Sequence, residues 1–575
     1  MKKKSIICIG LSLAMLPSLF SCNFFGTASS KTSASSIGEN TSVSTAGSSA
    51  AASSSLATSS SSSSSSSASV TSSDEKAYEQ VADAEKYDFN KNKNLTCMGD
   101  ATLNSLGTKK ILVIPVTFKN CATFTSAQLA KINKAYNGEA SDTGWQSLKS
   151  YYETASYGKL TIESVIADPY VVQMNDYETD ATIADTAKDT SFEGRVYNQT
   201  YSTGQLADDI VKSYSSKYNM ADFDLDNDGL VDGVEMVYIG GREWVNGSDD
   251  PTSVWWNFTY IANTTNNEPN THIAGVYFWS QLTMLENGYY STDIDTHTLV
   301  HESGHMLGLD DYYSYDYDSN GRAPENPCGI VDMMDGNIGD QNAFSKWLLG
   351  WTSPKYLTGK VDTFDLTLNS FADTGDCLIL RNTSTDPWNG MPYDEYLMLE
   401  YYTPTKLNEQ DSVMGYPEWK RAGTGGCYKK PGLKVFHVDA RLANVDTSDL
   451  STLAYTDTLS RNLFYAASNT GSSSMDINTS KKTGEKTYNS PYRLIEAVPA
   501  TGIDYFGSSD YSHLGDQTVL FGNVLNGCGG LTFSMEKMKS IFPNGTLFND
   551  GSTLDYDFMV TNQTDSNITL HFSRV

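Results

Sequence analysis

Histidine is scarce in this chain, seven among 575 residues, so any pair of histidines at a meaningful spacing stands out. Positive charge is also short. Forty Lys and Arg face 69 Asp and Glu, a formal net charge of -29. That balance argues against nucleic acid and against an anionic membrane surface as electrostatic partners. It suits a soluble, secreted protein whose acidic groups can serve calcium. Cysteine is sparse and never in CxxC spacing, which argues against a cysteine-built zinc site. Cys97, Cys121, Cys328, Cys377, Cys427 and Cys528 lie far apart, and an extracellular location permits disulfides without selecting any pairing. Long apolar runs are absent beyond the N-terminus, so no further stretch reads as a bilayer span.

The N-terminus itself reads as a targeting segment. Lys2, Lys3 and Lys4 form a basic region, and Ile6 to Phe20 is apolar. Leu19-Phe20-Ser21-Cys22 resembles a bacterial lipobox. The expectation is a signal peptide over 1–22, with Cys22 lipidated and holding the protein on the outer face of a bacterial membrane. Two acyl chains give stable anchoring where one is marginal. Residues 23–74 are Ser-rich, with an unbroken run from Ser59 to Ser67. Such a segment buries too little apolar surface to fold, and it reads as a flexible tether. Residues 75–104 are polar and weakly helical in pattern.

What is present and most informative is His301-Glu302-Ser303-Gly304-His305, followed by Gly308 and Asp311. The pattern is HExxHxxGxxD. Residues four apart share a helix face, so His301 and His305 can address one metal ion. Glu302 can reach a water on that metal as a general base. Gly308 is suited to the left-handed conformation that ends a helix and turns the chain. That turn can bring Asp311 round as a third ligand. Three protein ligands and one open position make a catalytic zinc pattern. The segment before the motif supports a helix, with Thr296 placed to cap it and Leu299, Val300, Met306 and Leu307 forming an apolar face.

A second metal pattern lies upstream. From Asp224 to Glu235, acids fall at positions one, three, five, nine and twelve of a calcium-type loop, with Gly229 at six. The expected ligands are Asp224, Asp226, Asp228, Asp232 and the Leu230 carbonyl. Glu235 is a weaker candidate, because the residues around it alternate like a strand rather than a helix.

Several blocks together resemble a known family. They are Lys110 to Phe118 (KILVIPVTF), Ser150 to Leu160 (SYYETASYGKL), Asp226 to Gly233 (DNDGLVDG), the zinc motif with Asp310-Asp311-Tyr312-Tyr313, Asp340 to Trp351 (DQNAFSKWLLGW) and Gly432 to Asp439 (GLKVFHVD). On these residues the chain resembles the immune inhibitor A family of secreted bacterial zinc metalloproteases, over 105 to about 442. The resemblance implies a zinc endopeptidase in which His301, His305 and Asp311 hold the metal and Glu302 is the base. Metzincin-type sites also place a methionine in a tight turn beneath the metal. Met334, in Val331-Asp332-Met333-Met334-Asp335-Gly336, fits that place, with Met333 the alternative. Tyr312 or Tyr313 could donate to the oxyanion of a tetrahedral intermediate.

The expected fold class is α+β. A metzincin-like catalytic domain over 105–358, with a mixed sheet and an active-site helix, precedes a β-rich, sandwich-like region over 359–575. Residues 443–490, rich in Ser, Thr and Asp, read as a long, partly mobile insertion. His437 alternates like a strand residue and reads as structural. The expected function is a cell-surface zinc endopeptidase acting on protein or peptide substrates, with calcium as a structural ion. It has no nucleic-acid partner and meets the membrane only through its lipid anchor. The alternatives are a tethered adhesin or glycan-binding lipoprotein, and a zinc hydrolase of cell-wall peptides.

Overall fold

A run of Ile, Leu and Val with no polar alternation belongs inside a sheet covered on both faces. Gly107–Phe118 is such a strand in the computed structural model. The structure describes residues 76–81, 102–119, 121–173, 203–239, 258–261, 270–274, 276–286, 294–316, 326–383, 390–413, 427–445, 453–455, 463–483, 487–505 and 514–575. Cys22, the expected signal peptide and tether, and Cys97 lie outside them. Gly107–Phe118 pairs in parallel with Leu160–Ile166, Tyr170–Val172 and Val234–Ile239. Val276–Gln281 continues the sheet in parallel, and Phe258–Ile261 closes it as an antiparallel edge.

Alternate residues of the central strand feed two different cores, as the pleat requires. Ile111 and Val113 pack with Tyr151, Tyr152, Leu299 and Val300, the side that carries the helix His297–Met306. Leu112, Ile114 and Val116 pack on the other side with Ile210 and Val211 of the helix Thr203–Tyr214. The helix Ser126–Asn137 begins with a capping box in which Thr125 accepts from the Gln128 N–H at 3.2 Å. Ser147 caps Leu148–Ala155 in the same way, so this helix starts three residues later than Trp145, where the apolar pattern begins.

A second six-stranded sheet runs in the order Tyr78–Gln80, Lys355–Leu357, Cys377–Leu380, Glu395–Tyr402, Gly432–Asp439, Ile495–Ala497. It takes strands from both sides of residue 358. The stretch expected to be weakly helical thus contributes an edge strand, Tyr78 opposite Leu357. One face of this sheet, with Tyr396, Met398 and Phe436, joins the core that also takes Leu299 and Val300 of the helix His297–Met306. The other face, with Leu397, Leu399 and Val435, packs against Leu366, Leu368, Phe558, Ile568 and Leu570 of a four-stranded antiparallel sheet. The class is α+β.

Residues 443–490 are more ordered in their described parts than their composition suggests. Leu453–Tyr455, Leu442–Val445 and Leu463–Tyr465 form a small sheet, followed by the helix Ile477–Thr483. Ala443, Ala466, Met475 and Ile477 give it a core of its own. Among the described residues, Cys328, Cys377, Cys427 and Cys528 are buried free thiols. Among the described residues no helix is long and apolar enough to cross a membrane.

His437 is structural in this fold. It is buried on the second sheet, with Nε2 2.8 Å from Glu395 and Nδ1 3.3 Å from Glu496. Burial pulls its pKa down, but hydrogen bonds to the two glutamates and their charges outweigh that and lift it to about 10. The stabilisation from a charged His437 is therefore complete below its ordinary value of about 6.5 and is lost as pH rises toward the folded value. His437→Gln removes the cation that Glu395 and Glu496 share and leaves each its arginine, Arg441 and Arg493; it is expected to cost about 1–3 kcal/mol at pH 7. Thermal unfolding followed by circular dichroism should show the wild-type midpoint falling between pH 7 and pH 10, and the variant falling less. Equal slopes would overturn the assignment.

Candidate metal centre

The motif helix spans His297–Met306, and eight of its residues are buried. Its start differs from expectation. Thr296 occupies the cap position, yet its hydroxyl donates to the Gln146 carbonyl at 2.5 Å. Asp295 accepts the His297 N–H instead, at 3.1 Å. The His297 ring stacks on Trp145 at 3.6 Å between ring centres and lies between Asp295 and Asp411. Those contacts fix the helix at its N-terminal end.

The C-terminal end is where Gly308 acts. Its φ is +95°, a conformation a Cβ disfavours by about 1–2 kcal/mol. The Gly308 N–H bonds the His305 carbonyl at 2.9 Å and the Leu309 N–H bonds the Gly304 carbonyl at 3.1 Å. This is the paired closure of a Schellman motif. The turn presents the Leu309 carbonyl to His305 Nδ1 at 2.7 Å. Two residues further, Asp311 Oδ1 lies 2.8 Å from His301 Nε2 and 3.4 Å from His305 Nε2.

The other imidazole is fixed in the same sense. His301 Nδ1 donates to the Met333 carbonyl at 2.8 Å. With each Nδ1–H used on a backbone carbonyl, each Nε2 is the position left for a proton shared with Asp311 or for a metal. One donor atom from each of His301, His305 and Asp311 lies within 4.8 Å of the others. Donors around a tetrahedral zinc with arms of ~2.0–2.1 Å stand about 3.3 Å apart, so the trio is close to the required spacing. Burial opposes charge on Asp311, but the two histidines hold its carboxyl well below the usual carboxylate range. Burial likewise opposes charge on His305, and Asp311 and Glu302 outweigh it, raising the pKa to about 10. Asp310 is not among the three.

Glu302 follows His301 on the helix and is 2% exposed. Behind it, Ser303 Oγ lies 2.8 Å from Glu235 Oε1 and from the Leu299 carbonyl. Glu235 therefore supports the helix from the first sheet rather than serving the acidic loop before it. Burial raises its pKa, hydrogen bonds from Tyr136 and Ser303 offset part of that, and Glu302 adds repulsion; the result is about 7.

Both methionines are buried, and they have different parts. Met333 gives its carbonyl to His301. Met334 lays its thioether against the helix, where a Cβ on Gly304 would stand 2.8 Å from its sulfur. Asp332 caps the short helix Met333–Gly336 by accepting from the Met334 N–H at 2.9 Å. Gly336 is required there, because a Cβ would meet the Ile330 carbonyl oxygen at 2.3 Å.

The tyrosines divide as well. Tyr312 is buried with its hydroxyl 2.7 Å from Ser345 Oγ, so it does not face the site. Tyr313 stacks over His301 with ring centres 6.2 Å apart. Tyr315 donates its hydroxyl to Asp311 Oδ2. Tyr315 stands outside the motif. The available signal was spacing, since residues two apart on an extended segment share a side, and the Tyr313 and Tyr315 rings lie 5.3 Å apart.

In the acidic loop, carboxylate oxygens of Asp224, Asp226 and Asp232 converge within 4.8 Å. Gly229, with φ +91°, makes the sharp turn. Asp228 is not in that trio; its carboxylate accepts the Leu230 N–H at 2.8 Å and its own N–H lies 3.1 Å from Asp224 and Asp226 oxygens. The Leu230 contact seen is this N–H. Asn270, far off in sequence, adds a side-chain donor to Asp224 Oδ2 at 2.9 Å.

No model of a known protein family matches the chain, and no curated protein does either. The candidate centre therefore stands on its geometry. Asp311→Ala is expected to weaken zinc binding by more than the ~10–100-fold typical of losing an outer-shell partner, whereas Asp310→Ala should leave it within a few-fold of wild type. Zinc competition against a chromogenic chelator compares the two. Equal losses would remove Asp311 from the ligand set.

Proposed function

We propose that this protein is a zinc-dependent endopeptidase of the HExxHxxGxxD type, acting at the bacterial cell surface on extracellular proteins or peptides. The observation that carries the reading is the common orientation of two imidazoles. Each gives Nδ1 to a backbone carbonyl and turns Nε2 toward one carboxylate. Two nitrogens and one carboxylate oxygen, with Glu302 beside them, are the donor set of a catalytic rather than a structural zinc. Bound there, zinc supplies Lewis acidity to a peptide carbonyl and to a water molecule.

The chain's own residues account for the remaining chemistry. Glu302 takes a proton from the attacking water, whose oxygen bonds to the carbonyl carbon. As the C–N bond breaks, Glu302 passes that proton to the leaving amine. Tyr315, whose hydroxyl reaches Asp311, and Tyr313 over His301 line the same side of the centre. We read the first sheet with its motif helix as metzincin-like, and the second sheet with the four-stranded sheet packed on it as sandwich-like. The trio Asp224, Asp226 and Asp232 is read as a structural calcium site. Cys22 with residues 23–74 is read as a lipid anchor and tether.

Casein hydrolysis by the full chain, wild type beside Glu302→Gln, with zinc content measured for both, tests the reading. The variant is expected to keep one zinc and to lose activity by at least ~10²–10⁴-fold. Normal turnover in the variant would sink the mechanism. Inert casein alongside cleaved cell-wall peptides would move the same site to a different substrate. For the second site, about 1 mM calcium is expected to raise the wild-type unfolding midpoint by a few degrees and leave Asp226→Asn unmoved. A shift of equal size in both would exclude the trio.

A further inference from the structure

Asp311 lies on a segment without regular secondary structure, residues 309–316. A ligand on such a segment needs something else to hold it. Tyr312, the next residue, has both backbone groups tied, on different sides. Its N–H bonds the Met334 carbonyl at 2.8 Å. Its carbonyl accepts from Asn469 Nδ2 at 2.7 Å.

Asn469 is 4% exposed and belongs to the region expected to be a loose insertion. The same amide nitrogen reaches the Ile495 carbonyl at 2.9 Å, and its oxygen accepts the Ile495 N–H at 3.0 Å. Ile495 lies in a strand of the second sheet, so Asn469 ties the Asp311 segment to that sheet. The grip continues along the chain. Thr470 Oγ1 accepts the Tyr315 N–H at 3.0 Å. Ser472 donates its N–H to Asp316 at 2.7 Å and its hydroxyl to the other oxygen of that carboxylate at 2.5 Å. Three residues of one short stretch thus hold Tyr312, Tyr315 and Asp316, which flank or reach the third donor.

We propose that residues 469–472 are a clamp that positions the third metal ligand, with Asn469 as its principal positioning residue. The inference rests on the zinc reading above. An unclamped segment spends part of its time with Asp311 out of reach of the histidines, and apparent affinity falls by the fraction that remains competent. The clamp also makes the C-terminal half part of the metal site rather than an appendage to it.

The test is zinc affinity of the full chain, measured by chelator competition, beside the unfolding midpoint of the metal-free protein. Asn469→Ala is expected to weaken zinc binding about 10–100-fold, as losing an outer-shell partner does. Thr470→Val should weaken it in the same direction, and Thr470→Ser, which keeps the acceptor for Tyr315, should restore it. The Thr470 pair decides the matter if Asn469→Ala fails to fold. A lower metal-free midpoint with unchanged zinc affinity would make Asn469 merely structural and overturn the clamp. Wild type and Asp311→Ala serve as controls. If wild type binds no zinc, the metal reading itself fails. If wild type binds and only Asp311→Ala loses zinc, the metal reading stands and the clamp falls.

Discussion

The molecule is organised by the need to bury a helix that carries ionisable side chains. His297–Met306 places His297, His301, Glu302 and Ser303 out of solvent. A buried polar group is costly unless it is hydrogen-bonded, and a buried charge more so unless it is paired. Distant parts of the chain supply the partners. Asp411 faces His297, Met333 serves His301, and Glu235 meets Ser303. The turn at Gly308 folds the helix's own continuation back so that Leu309 serves His305. Each partner lies on a different element, so satisfying one helix fixes the placement of several.

The same requirement explains where positive charge sits in so acidic a chain. His297 is drawn up to about 9, with burial opposing and Asp295 and Asp411 prevailing. His437 is held charged in the same way, by Glu395 and Glu496 on the neighbouring strands. Lys346 is fully buried and rests on Asp340 at 2.7 Å with the Tyr157 ring beneath it. The excess of Asp and Glu is thus not only a solvated coat. Some of it lies inside, arranged around a small number of buried cations.

Short-range chemistry was legible in the sequence, and long-range pairing was not. The i, i+4 histidines, the left-handed Gly308 and the nearby Asp311 depend on contacts within a few residues, and a spacing rule captures them. The β-rich character after residue 359 was equally plain, and Cys377–Leu380 and Glu395–Tyr402 are among its strands. Thr296 looked like a cap because the rule knows only its neighbours, whereas its hydroxyl is taken by Gln146. Nothing near Asn270, Asp411 or Asn469 signals a partner, since those partners lie tens to hundreds of residues away. Tyr78–Gln80 failed for the same reason. Three polar residues become a strand only because Lys355–Leu357 offers an edge.

The contact from Asn469 to Tyr312 spans 157 positions of sequence. During synthesis at ~5–20 residues per second, about 8–30 seconds separate the emergence of the two ends of that bond. The histidines and Asp311 are therefore made well before the part of the chain that holds them in register. Loop closure over such a distance is slow compared with forming a helix. A chain truncated before Asn469 would contain every residue of the motif and lack the bonds that tie Tyr312, Tyr315 and Asp316 in place.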